Sequence, residues 1–65
     1  MLRNLIGTYV FAKDTGDLDL RYHGSRPAQA QKIMRQIRSE QRTPIKVYAR
    51  SEDEARYMAR TMLGA

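Results

Sequence analysis

The side chains whose types and spacing could do chemistry are cations and aromatic rings. Gln31, Arg35, Arg38 and Arg42 follow one another at i, i+4, i+7 and i+11, with Lys32 beside them, so a helix through this segment carries one charged stripe. Lys46, Tyr48 and Arg50 share one parity of a later strand-like stretch, and Tyr9 and Phe11 share one parity of an earlier one, with Arg21 on its hairpin neighbour. Arg and Lys neutralise phosphates, and exposed rings stack on unpaired bases for roughly 1–3 kcal/mol each. Together these residues predict a nucleic-acid-binding surface made of Tyr9, Phe11, Arg21, Arg35, Arg38, Arg42, Lys46, Tyr48 and Arg50. A plainer reading stands beside it: Tyr9 and Phe11 as large strand formers covered by a terminus or a second copy, and the Arg stripe as an ordinary solvated helix face.

Other chemistry finds little support. Cysteine is absent and His23 is the single imidazole, so there is no thiol nucleophile, no thiolate metal site and no His-rich zinc site. His23 stands beside Gly24 at the end of a strand-like stretch, the position of a solvated turn residue. Asp17 and Asp19 are alternate residues of a strand and point the same way, about 7 Å apart. That separation could suit acid/base work, but charged gatekeepers on an edge strand account for such acids, and so short a chain is not expected to enclose a pocket. Asp14, Asp17 and Asp19 depart from the spacing of an EF-hand loop, and Gly7, Gly16, Gly24 and Gly64 stand singly rather than in a phosphate-binding loop. The expectation is a non-enzymatic protein without metal or cofactor, and no stretch carries the signature of a known family.

These residues must be positioned by a small set of elements. Ile6 to Lys13 is rich in β-branched and aromatic residues, and Asp17 to Tyr22 alternates strictly between polar and apolar, so both predict strands. Lys13-Asp14-Thr15-Gly16 suits a three-residue hairpin loop with Gly16 left-handed, which pairs Lys13 with Asp17 and puts Val10, Ala12, Leu18 and Leu20 on one face. Ser25 and Pro27 suit the N-cap and first turn of a helix that ends before Pro44, with Ala30, Ile33, Met34 and Ile37 as its apolar stripe. Ile45 to Arg50 alternates again as a third strand. Ser51 and Glu54 form a capping box, followed by Ala55, Met58, Ala59, Met62 and Leu63 at the spacing of a helix lying on a core, with Gly64 to close it.

The order ββαβα predicts one α+β domain spanning 1–65, with no linker, repeat or low-complexity tract. The first strand is apolar on both faces and is expected at the centre of a three-stranded, mainly antiparallel sheet of order 2-1-3. Both helices are expected on the Val10/Leu18/Leu20 face, through a right-handed crossover. The other face, with Tyr9, Phe11, Arg21, Lys46, Tyr48 and Arg50, would then be bare.

Charge points to the same partner. Twelve Lys or Arg stand against seven Asp or Glu, a formal net charge of +5. Leu20 to Arg50 holds eight cations and one anion, Glu40, a local balance of +7, while the remainder sums to −2. Nine of the twelve cations are Arg, the residue suited to planar, bidentate contact with phosphate or carboxylate. The longest uncharged run, Asn4 to Ala12, is far short of the ~20 residues that cross a bilayer. The first residues do not resemble a signal peptide, and the lack of Cys suits a reducing compartment. A cytoplasmic protein that binds RNA or DNA is expected, with no membrane association. The alternative is a small protein-interaction module, such as a phage- or plasmid-encoded regulator that docks on an acidic host protein, since acidic proteins imitate phosphate fields. A homodimer paired through sheet faces or edges would offset the small core.

Overall fold

A computed structural model describes residues 6–13 and 16–64. The elements come in the expected order: β1 (Gly7–Lys13), β2 (Leu18–Gly24), α1 (Pro27–Ser39), β3 (Thr43–Ala49) and α2 (Glu52–Gly64). The sheet has order β2-β1-β3 and both pairings are antiparallel. β1 is central for the reason its composition suggests: Tyr9, Val10, Phe11 and Ala12 are all buried, so neither of its faces is left to solvent.

The helices, however, lie on opposite faces. Val10 and Ala12 cluster with Ala30 and Ile37 of α1, with Tyr22, Ile33 and Met34 packed against them. Tyr9 and Phe11 cluster with Leu18, Ile45, Val47 and Ala49, and this second cluster is closed by Ala55 and Ala59 of α2. The expectation that both helices share one face is therefore corrected: the molecule has three layers, helix on sheet on helix. The cause is register. Tyr9 stands opposite Val47 and Phe11 opposite Ile45, so the apolar residues of β3 join the aromatic residues of β1, while Lys46 and Tyr48 stand opposite Val10 and Thr8. Two apolar faces result, and each requires its own cover. Full burial of Phe11, Val10 or Ile37 contributes roughly 1.5–3 kcal/mol each.

The hairpin register differs in the same way. Lys13 pairs with Leu18 rather than Asp17, and Phe11 with Leu20. A slip of one residue moves every side chain to the other face, so Leu18 and Leu20 join Phe11 instead of Val10. A β-bulge follows: the ladder steps from Phe11–Leu20 to Val10–Tyr22, which leaves Arg21 unpaired and returns Tyr22 to the Val10 face. The expected hairpin loop runs through Asp14 and Thr15, which lie outside the described residues.

The termini of α1 are held by unexpected groups. Arg26, not Ser25, is the N-cap residue and makes no side-chain cap, with Pro27 next. The Tyr22 hydroxyl does part of that work, accepting from Arg26 N at 3.1 Å and donating to Arg26 O at 3.4 Å. At the other end Gln41 takes φ 64°. The Gln41 amide donates to Arg38 O and the Arg42 amide to Ile37 O, the paired bonds of a Schellman motif built on Gln in place of Gly. α2 is capped as its sequence suggests on one side, the Ser51 hydroxyl accepting from Glu54 N at 3.2 Å. The Glu54 carboxylate reaches back one residue further than a capping box, to Arg50 N at 2.8 Å. Among the described residues no helix is long and apolar enough to cross a membrane.

Candidate nucleic-acid interface

The aromatic half of the expected surface is not at the surface. Tyr9 is 3% and Phe11 0% exposed, both covered by α2. The Phe11 ring lies under the Arg56 guanidinium, 5.3 Å from its centroid, and Tyr9 is stacked on His23 at 4.1 Å. Neither ring can stack on a base, so both are core residues.

Arg21 is likewise committed to the fold. Freed from the ladder by the bulge, it donates Nε to Asp19 Oδ2 at 2.8 Å and its two terminal nitrogens to Glu40, at 2.7 and 3.2 Å. These bonds tie β2 to the end of α1. The hydrogen bonds that Arg21 donates to Glu40 and then to Asp19 push the guanidinium pKa above its ordinary value, and the bond accepted from Arg21, aided by the charges of Arg21 and Arg42, holds Glu40 below the usual carboxylate range.

The remaining predicted residues come together on the α1 side of the sheet. Ala30 and Ile37 face the core, so Gln31, Lys32, Arg35 and Arg38 fall on the outward half of the helix, and all are exposed. Glu40 reaches toward β2, which places the opposite flank of α1, with Gln31 and Arg38, toward β3. On β3 the residues of the α1-covered face are Lys46 and Tyr48, opposite Val10 and Thr8. Tyr48 is 58% exposed, and the Lys46 ammonium lies 5.6 Å from its ring centroid. Arg50 follows, exposed, at the end of β3, and Arg42 is half-buried just after α1. Arg26, exposed at the helix start, also belongs to this side of the molecule.

This surface is one-sided. Arg26, Lys32, Arg35, Arg38, Lys46 and Arg50 make no ion pair with any described residue, whereas four of the acids are paired: Asp19 and Glu40 with Arg21, Glu52 with Arg56 at 2.9 Å, Asp17 with Arg60 at 3.9 Å. A shallow cleft beside α2, lined by Lys13, Asp17, Leu18, Arg60 and Leu63, lies apart from the cationic stripe. Comparison with protein-family models, curated proteins and solved structures found no significant match.

Proposed function

We propose that the protein is a non-enzymatic nucleic-acid-binding module that works through α1 and the adjoining edge of β3. The observation that carries this reading is the row of exposed cations, Lys32, Arg35 and Arg38 with Lys46 beside them, that make no ion pair with the described residues. Such an array on a rigid helix concentrates positive potential where a phosphate backbone can lie. The surface residues are Arg26, Lys32, Arg35, Arg38, Arg42, Lys46, Tyr48 and Arg50. Tyr9, Phe11 and Arg21 support it from within.

Fluorescence anisotropy against a mixed-sequence oligonucleotide tests the reading. Affinity is expected to fall steeply with salt, and Arg35→Ala or Arg38→Ala to flatten the log–log slope by roughly 0.7–0.9 each, because each phosphate contact releases counterions. No binding at ~50 mM salt and high micromolar protein would sink the proposal, since an organised basic face retains at least non-specific affinity there. An acidic protein surface is then the partner to seek.

A further inference from the structure

We infer that the nucleic acid is B-form duplex DNA, read by the exposed face of α1 in its major groove. This rests on the nucleic-acid reading above and names its substrate class. Two observations select the duplex over a single strand. Sequence-tolerant binding of single strands depends on a track of exposed rings, and here the candidate rings of β1 are buried under α2. Of the strongly exposed tyrosines, Tyr48 lies on the α1 side and Tyr57 on α2 across the sheet, so two rings do not line one path. The cations, by contrast, are fixed on a helix of 13 residues, about 20 Å long, which matches a stiff lattice of phosphates better than a flexible strand.

The outward face of α1 then selects the groove. It consists of Ala28, Gln29, Gln31, Lys32, Arg35, Gln36, Arg38 and Ser39, all exposed, with no carboxylate and no large apolar side chain among them. Arg pairs bidentately with the guanine O6 and N7 acceptors, Gln with adenine N6 and N7, and small residues leave room for the thymine methyl. The B-DNA major groove, ~12 Å wide, admits a helix of ~10–12 Å diameter. The deep, narrow major groove of A-form RNA does not. The flank toward β3 carries Lys46, placed to meet the phosphates along one wall of the groove, whereas on the β2 flank Arg21 pairs with both Asp19 and Glu40 and offsets one of their two charges, so the β3 flank is the one that faces the phosphates.

The test uses the full chain with three labelled probes of one sequence: a DNA duplex, its single strand and the corresponding RNA duplex. The DNA duplex is expected to bind about tenfold more tightly than either of the others, the scale of one good base contact. Replacing its guanines by 7-deazaguanine removes the N7 acceptors of the major groove and should weaken binding several-fold. That sensitivity should vanish in Arg35→Ala and Arg38→Ala together, whose circular dichroism should be unchanged because both side chains are exposed. Netropsin, which fills the minor groove, should not displace the protein. Equal or tighter binding of the single strand or the RNA duplex, indifference to 7-deazaguanine, or displacement by netropsin overturns the groove assignment and leaves nucleic-acid binding standing. Failure to bind any of the three probes removes both.

Discussion

α1 and α2 are each 13 residues long and each covers one face of the same sheet, yet they are attached in different ways and show different outer surfaces. α1 buries Ala30 and Ile37 and wedges Ile33 and Met34 against Val10 and Ala12. α2 buries only alanines, Ala55 and Ala59, which lets it approach Tyr9, Phe11 and Val47 closely; its larger apolar residues stay outside, Met62 63% exposed. Outward, α1 is cationic without carboxylates, whereas α2 begins with Glu52, Asp53 and Glu54 and carries Tyr57 and Met58. The difference teaches that equal amphipathic pattern does not imply equal surroundings: α2 covers the aromatic core, and α1 joins a core stripe to an exposed cationic face.

The strongest way to break this division is to remove what α2 covers. Phe11→Ala should cost about 3–5 kcal/mol, comparable to the whole net stability of so small a domain, and leave no cooperative thermal transition by circular dichroism. Tyr48→Ser, on the α1 side and largely exposed, should stay within about 0.5 kcal/mol of wild type. If the two variants melt alike, the assignment of faces is wrong. Next in size, Ala59→Leu forces extra volume between α2 and the sheet and should destabilise by about 1–3 kcal/mol in urea titration. Ala28→Leu, the same change on the open face of α1, should be close to neutral.

A sharper contrast pits one Arg against another. Arg56 Nη1 donates to Leu18 O at 2.8 Å while its guanidinium covers Phe11 and pairs with Glu52. Arg56→Ala should therefore lose about 1–2 kcal/mol of stability, with nucleic-acid binding restored wherever the variant is folded, while Arg35→Ala should melt as wild type and bind more weakly. A Tm loss in Arg35→Ala equal to that of Arg56→Ala removes the distinction.

The smallest effect expected is a pH dependence at the β2–α1 tie. Glu40 is held below its ordinary range in the folded chain by Arg21, so its contribution is present above the unfolded carboxylate pKa and is lost as pH falls through the lower folded value. Wild type should accordingly melt slightly above Glu40→Gln at neutral pH, and the two curves should converge in acid. A Tm gap that persists unchanged at the lowest pH would show that Glu40 acts by shape rather than charge.

The elements were legible in the sequence because each is encoded within a few residues: Pro27 starts α1, Ser51 and Glu54 start α2, and the unbroken apolar run of Tyr9 to Ala12 marks the central strand. Side assignment was not, since it depends on pairings between distant residues. Whether Tyr9 meets Val47 or its neighbour decides which face is aromatic, and nothing near Tyr9 states that choice. The bulge at Arg21 is equally silent, because Leu18 to Tyr22 alternates as smoothly as an unbulged strand. For the candidate site the helix stripe of Arg35 and Arg38 could be read from its spacing alone, whereas the rings of Tyr9 and Phe11 could be placed only once α2 had been placed. The same register also puts Lys46 and Tyr48 beside α1, so the cationic residues meet by a route opposite to the one their alternation suggests.

The central position of β1 also sets a timetable for biosynthesis. Its first neighbour, β2, follows almost at once, but its second, Thr43–Ala49, arrives 30 positions after Lys13. At ~5–20 residues per second, ribosomes leave the nascent chain for about 2–6 s with one edge of β1 unpaired. That segment, Thr8-Tyr9-Val10-Phe11-Ala12, is apolar and uncharged, the kind of stretch that pairs with other chains when left open. The flanking Lys13 is the charge that stands against self-association during that interval, and α1, which precedes β3 in the chain, supplies the stripe that covers Val10 and Ala12 in the folded protein.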